Sequence, residues 1–169
     1  MKSSYNELFL CTGNSARSIM AEAIMNRKGF PKFRAYSAGS HPSGKVRPEA
    51  LRQSAQAGLS ADGARSKSWD EFAKEGAPAM DFVITVCDNA AGETCPVWFG
   101  SPVTAHWGVP DPAHVIGDEP IRRAAYHDAW NLLRKRIDLF LALPAGRLSS
   151  LDSRRALQEI GRVGAEPRA

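Results

Sequence analysis

The chain has 169 residues, a length that one domain with a single hydrophobic core can have. Its hydrophobic content of 43% and charged content of 24% are ordinary for a globular protein. No apolar run approaches the roughly 18 residues that a membrane span needs. The net charge of +4 is dispersed and is not interleaved with aromatic residues, so neither nucleic acid nor membrane is expected as a partner. Glu7 lies where a signal peptide would begin its apolar stretch, so we expect a cytoplasmic protein with reduced thiols.

The predicted elements alternate between strands and helices. In chain order they are a strand at 7–10, a helix reaching residue 28, a strand at 33–37, a helix at 48–57, a strand at 81–86, a weaker strand at 103–107 and an amphipathic helix at 121–141. Such alternation predicts an α/β fold with a doubly wound, parallel, four-stranded sheet. In a flavodoxin-like strand order, the first and third strands are neighbours.

The last part of the chain is predicted to be a separate short extension. Residues 1–144 are assigned to the α/β domain and residues 145–169 to the extension. Ser149 or Ser150 is a candidate cap for a short helix that ends near Gly161, and a flexible tail is expected after it. We interpret this extension as an appendage to the domain.

The chemistry is predicted between the first strand and the first helix, at the edge of an open parallel sheet where ligands bind. The segment reads Cys11-Thr12-Gly13-Asn14-Ser15-Ala16-Arg17-Ser18. Five residues between Cys11 and Arg17 allow backbone N–H groups to curl around an oxyanion, and the helix N-terminus adds positive potential. Arg17 can then bind two oxygens as a planar fork. We expect the same field to lower the pKa of Cys11 and make it nucleophilic.

Three other residues of this segment are expected to shape it. Gly13 would permit a tight turn, Asn14 would adopt a left-handed conformation and brace the loop, and the Ser18 hydroxyl would donate to the Cys11 sulfur. The alternative is a buried structural cysteine beside an unrelated arginine. The strand before the segment, the helix after it and the glycine within it favour the anion-binding interpretation.

The segment from Cys11 to Ser18 resembles the phosphate-binding loop of the low-molecular-weight tyrosine phosphatase family. That family also includes arsenate reductases that use thioredoxin or a related thiol donor. The resemblance covers about residues 5–142, and its further anchors are Tyr36-Ser37-Ala38-Gly39, the strand ending in Cys87, and Asp111-Pro112. It implies the family's fold and makes Asp111 the general acid that protonates the leaving oxygen. An isolated Asp-Pro pair is otherwise a common turn.

The remaining two cysteines separate the reductases from the phosphatases. Cys87 is predicted to end the third strand, at the same sheet edge as Cys11, and Cys95 follows in a polar segment of small residues. Reducing arsenate takes two electrons, which a thiol pair supplies by forming a disulfide. The resemblance implies that Cys11 attacks arsenate, Cys87 attacks Cys11 and releases arsenite, and Cys95 attacks Cys87. Thioredoxin, or glutaredoxin with glutathione, would then reduce the disulfide, and phosphate or sulfate would mimic the substrate. No cofactor is implied.

Two other functions stay open. A phosphatase acting on phosphomonoesters through a Cys11 phosphoenzyme would share the site, although Ala113 and His114 stand where such phosphatases place aromatic residues. A non-catalytic oxyanion-binding or redox-sensing module is the other possibility.

Metal and nucleotide sites are weaker interpretations of the same sequence. The gap between Cys87 and Cys95 is too long for a structural zinc site with His106 and His114, so no metal is predicted. Residues 39–46 nearly match a nucleotide-binding loop but end in Val46, which lacks the hydroxyl that magnesium requires, and we interpret them as a loop. Some reductases of the family bind potassium beside the oxyanion loop. Part of that site is matched by three residues of this chain, Asn14, Glu22 and Ser37.

Overall fold

Every helix and strand predicted from the sequence is present, with small shifts at the ends. The structure, a computed structural model, describes residues 3–60, 63–91, 98, 100–148 and 151–164. Its elements are β1 (Tyr5–Cys11), α1 (Arg17–Gly29), β2 (Phe33–Gly39), α2 (Pro48–Gln56), β3 (Phe82–Thr85), α3 (Asp88–Ala91), β4 (Val103–His106), α4 (Glu119–Leu141) and α5 (Leu151–Arg162). The short helix α3, directly after Cys87, was not predicted from the sequence.

The four strands form one parallel sheet in the order β2-β1-β3-β4. The predicted neighbours β1 and β3 pair directly, and the register sets Cys11 opposite Gly39 and Leu10 opposite Thr85. Because parallel strands end at one edge, the segments that follow β1, β3 and β4 meet there. The predicted α/β fold is therefore confirmed, and this edge is where the candidate site lies.

Strand β1 is buried on both faces. Phe9 and Cys11 point into the larger core, to which all the helices contribute, while Leu8 and Leu10 point into a smaller one. The side chains of Phe72 and Trp98 contribute to that second core. Full burial of an aliphatic or aromatic side chain contributes roughly 1.5–3 kcal/mol, so β1 is held firmly from both sides. In the described part of the chain, no helix is both long enough and apolar enough to cross a membrane.

The predicted C-terminal helix exists, but it is not an appendage. The side chains of Leu157 and Ile160 are buried in the larger core, and the Trp107 indole N–H donates to the Leu157 carbonyl at 2.9 Å. The sequence pattern indicated a helix but not the surface on which it packs. The division of the chain at residue 144 stays a prediction.

Candidate active site

Two buried thiols meet at the carboxyl edge of the sheet. Cys11 ends β1 and Cys87 follows β3, and the two thiols lie close enough for each to shift the pKa of the other. The Thr12 backbone N–H also donates to the Cys87 sulfur at 3.2 Å, and the Thr12 hydroxyl lies 3.5 Å from that sulfur. The prediction that Cys11 and Cys87 share one sheet edge is therefore confirmed. Cys95 lies outside the described residues.

The predicted lowering of the Cys11 pKa is wrong for this arrangement. The hydrogen bond with Cys87 and burial raise the pKa of Cys11, and they outweigh the opposite effects of Arg17 and of the Thr12 N–H. The hydrogen bond from Cys11 lowers the pKa of Cys87 to about 5, against the effect of burial. The two thiols therefore titrate as a coupled pair, whose first proton is lost more easily than that of an ordinary thiol. The sequence predicted that Cys87 lies at this edge, but not its effect on the pKa of Cys11.

The oxyanion loop, Cys11–Ser18, turns its carbonyl groups outward. Backbone N–H groups of the following loop donate to these carbonyls: His41 to Thr12 at 2.9 Å, Ser43 to Gly13 at 3.0 Å and Arg47 to Ser15 at 2.9 Å. In a planar trans peptide the next N–H points the opposite way. The N–H groups of residues 13, 14 and 16 therefore point away from these donors, as a loop that binds an anion requires. Residues 40–46 form a loop, as predicted, and they brace the oxyanion loop.

Asn14 fixes the backbone conformation of the oxyanion loop. It is fully buried and has a φ of 46°, the left-handed conformation that was predicted. Its side-chain amide donates to the Ser18 hydroxyl at 2.8 Å, and its oxygen accepts the Lys67 backbone N–H at 2.9 Å. The Ser18 oxygen accepts the bond from Asn14, and the predicted donation from the Ser18 hydroxyl to the Cys11 sulfur stays a prediction.

The glycine that this site requires is Gly39, not Gly13. A Cβ on Gly13 would meet nothing closer than the Ser15 hydroxyl at 3.6 Å, which is an ordinary contact. A Cβ on Gly39 would lie 2.4 Å from the Thr12 carbonyl oxygen. The close approach of two adjacent strand ends, which the sequence does not reveal, therefore decides where glycine is needed.

Lys67 lies in the cluster that the resemblance associates with potassium. Its ammonium donates to the Ser37 hydroxyl at 3.4 Å and to the Arg65 carbonyl at 3.1 Å, and Ser37 in turn donates to Glu22 at 2.9 Å. Burial lowers the pKa of Lys67 and raises that of Glu22, while each group's charge opposes the shift of the other. Because this ammonium already supplies the positive charge, the residues present do not fit a potassium ion. The sequence analysis missed Lys67, and the polar run 65–68 was the available signal.

The loop that follows β4 brings the predicted general acid to the site. We call residues 107–111 the acid loop. Its Val109 N–H donates to the Val86 carbonyl at 3.0 Å. The Arg17 guanidinium donates to the Val109 carbonyl at 2.9 Å and lies 3.3 Å from the Asp111 carboxylate. The Asp111 side chain also accepts the Ala113 N–H at 2.9 Å, which fixes its rotamer. The structure thus brings Arg17 and Asp111 together, while the catalytic role of each stays a prediction.

An open groove of about 1320 Å³ gives access to Arg17, Cys87 and Asp111. His106, to which the sequence analysis assigned no chemistry, lines the same groove. Its ring nitrogens lie 2.7 Å from the Thr85 hydroxyl and 2.7 Å from the Asp88 carboxylate. His106 therefore ties the start of α3, next to Cys87, to β4.

A cysteine at the end of the first strand, an anion-binding loop and an Asp-Pro pair at the same sheet edge are features of one class of phosphate-handling enzymes. The sequence pattern described as "Low molecular weight phosphotyrosine protein phosphatase" matches residues 6–156. The chain belongs to this family, which confirms the resemblance found in the sequence.

Similar proteins divide between the two activities known in the family. The chain is 33% identical to the arsenate reductase of Halalkalibacterium halodurans over 132 residues, which cover 78% of this chain and 91% of the relative. A solved arsenate reductase from Archaeoglobus fulgidus is 28% identical, with a TM-score of 0.57 over 78% of this chain and 98% of that one. The low-molecular-weight protein tyrosine phosphatase from T. tengcongensis is 23% identical, with a TM-score of 0.59 over 80% of this chain and 99% of that one, and it shows the shared fold.

Proposed function

We propose that this protein is an arsenate reductase that works by a thiol relay through Cys11, Cys87 and Cys95. The close pair of Cys11 and Cys87, with the Cys87 sulfur against the Thr12 backbone of the oxyanion loop, carries this proposal. Hydrolysis of a phosphate ester needs only the first thiol. A second thiol in contact with the nucleophile supplies what a two-electron reduction needs. The relatives named arsenate reductase support the same choice of substrate.

In the first step Cys11 attacks the arsenic of arsenate and forms a sulfur–arsenic bond. Its proton passes to the neighbouring Cys87 thiolate, and one arsenate oxygen leaves as water. The inward N–H groups of the oxyanion loop and the Arg17 guanidinium stabilise the remaining oxygens. Asp111, held 3.3 Å from Arg17, supplies the proton to the leaving oxygen.

In the second step arsenic is reduced. Cys87 gives up its proton to the open groove and attacks the Cys11 sulfur, forming a disulfide. The electron pair of the sulfur–arsenic bond stays on arsenic, which leaves as arsenite. Because Cys87 already lies against Cys11, this step needs little rearrangement.

The last step frees Cys11 for another cycle. The Cys95 thiolate attacks the Cys87 sulfur, so that the Cys11 thiolate leaves and a disulfide joins Cys87 to Cys95. Such a bond requires Cα atoms within about 7 Å of each other. A dithiol protein such as thioredoxin, or glutathione with glutaredoxin, then reduces this disulfide and takes on the oxidised state.

Single-turnover peptide mapping of the cysteine variants tests the relay. Cys11→Ser should not react, because a hydroxyl is a far weaker nucleophile than a thiol. Cys87→Ser should release no arsenite, whereas Cys95→Ser should complete one turnover and retain a disulfide between Cys11 and Cys87. The wild type should end with a disulfide between Cys87 and Cys95.

The phosphatase alternative predicts a different outcome of the same experiment. All three thiols would stay free after exposure to arsenate, while phosphate esters would be hydrolysed at a good rate. That result would replace the reductase assignment by the phosphatase one.

A further inference from the structure

We propose that Arg136 and the C-terminal helix α5 position the general acid, so that α5 is part of the active-site framework. Arg136 is a positioning residue here, since its described contacts are with protein carbonyls. The inference rests on the proposed role of Asp111 as the acid. It is carried by the contacts that Arg136 and α5 make with the acid loop.

Arg136 is a fully buried cation at the centre of this arrangement. It lies on α4, and its guanidinium donates to the Gly108 carbonyl at 3.0 Å and to the Val163 carbonyl at 3.2 Å. No carboxylate pairs with it among the described residues, and its second terminal nitrogen (Nη2) has no hydrogen-bond partner there. A buried charge held only by carbonyls is costly, so packing alone does not explain an arginine at this position.

Helix α5 lies directly against the start of the acid loop. The Trp107 indole donates to the Leu157 carbonyl at 2.9 Å. A Cβ on Gly161 would lie 2.4 Å from the His106 carbonyl oxygen, so the helix backbone touches the chain as it leaves β4. Directly after the end of α5, Val163 is joined through Arg136 to Gly108. Helix α5 and the residue that follows it thus support residues 106–108, where the chain passes from β4 into the acid loop.

The other side of the acid loop is held by the active site itself. Arg17 binds the Val109 carbonyl and lies beside Asp111. Gly108 and Val109 are therefore each fixed by a guanidinium, Gly108 from α4 and Val109 from the oxyanion loop. Removing Arg136 releases Gly108 and allows Asp111 to shift, and a displacement of about 1 Å in a catalytic group can cost roughly 10²-fold in rate.

A double-mutant cycle between Arg136 and Asp111 tests the inference. The measurements are the single-turnover rate of arsenite formation and the dissociation constant of inorganic phosphate. Arg136→Met should slow the reaction about 10-fold or more and change phosphate binding less than about 2-fold. In the Asp111→Asn background the same change should cost less than about 2-fold, because the group it positions is already lost. Arg134→Met, on the exposed side of the same helix, is the matched control and should react like the wild type.

If Arg136→Met does not fold, a second variant, Gly161→Ala, tests the same inference from the side of α5. Gly161→Ala places a methyl group against the His106 carbonyl, so α5 must move away from the acid loop. It should slow the reaction less than Arg136→Met, again without effect in the Asp111→Asn background. The inference fails if both variants react at the wild-type rate, or if either slows Asp111→Asn as much as it slows the wild type. If Asp111→Asn itself reacts normally, the acid assignment fails and this inference fails with it.

Discussion

The oxyanion loop and the acid loop end at the same edge of the sheet but are held in different ways. The oxyanion loop is braced by backbone donors along its outer side and by the internal contact from Asn14 to Ser18. The acid loop depends on two guanidinium groups from other elements, Arg17 at the Val109 carbonyl and Arg136 at the Gly108 carbonyl. The larger number of backbone hydrogen bonds makes the first loop tolerant of single losses. The second loop relies on two side chains, so it is sensitive to single substitutions outside it.

The largest loss of activity is expected when the proposed general acid, Asp111, is replaced. Asp111→Asn keeps the shape of the side chain but removes the acid, so single-turnover formation of arsenite should fall roughly 10²-fold or more. The dissociation constant of inorganic phosphate should stay near the wild-type value because the oxyanion loop is intact. A wild-type rate in this variant would place the proton donor elsewhere.

A smaller effect is expected when one brace of the oxyanion loop is removed. Lys67→Met takes away the ammonium that anchors residues 66 and 67, since the Ser66 hydroxyl donates to the Gly13 carbonyl and the Lys67 backbone N–H to the Asn14 side chain. Phosphate should then bind about 10-fold more weakly, since one charge-assisted anchor is worth roughly 1.5–3 kcal/mol and other bonds remain.

Lys28→Met is the matched control, because Lys28 pairs with Asp138 on the exposed surface. It should bind phosphate like the wild type. Equal phosphate affinities in the Lys67 and Lys28 variants would show that the other bonds hold the loop without Lys67.

The smallest effect is expected on the pH at which the pair of thiols ionises. The ultraviolet absorbance of the thiolate should appear in the substrate-free wild type with a midpoint near the Cys87 pKa of about 5. In Cys11→Ala this midpoint should move to higher pH, because the hydrogen bond that lowers the Cys87 pKa is lost. An unchanged midpoint would mean that Cys11 does not stabilise the Cys87 thiolate.

Local patterns predicted the parts of the site that depend on neighbours in sequence. The strand before Cys11, the helix that begins at Arg17 and the left-handed Asn14 follow from composition and spacing, and all are present. The need for glycine at position 39 was missed and the low pKa predicted for Cys11 was wrong, for one reason. Both depend on what other strands bring to the loop, namely Gly39 and Cys87.

The sequence by itself determined the α/β fold, the oxyanion loop and the edge at which the cysteines meet, because hydrophobic periodicity and loop spacing are local properties of the chain. Only the tertiary structure decided how Cys11 and Cys87 shift each other's pKa, where the Lys67 ammonium lies and how Arg136 joins the end of α5 to the acid loop. Each of these depends on groups brought together from distant positions in a buried environment. There a single hydrogen bond or charge shifts an equilibrium far more than it would in water.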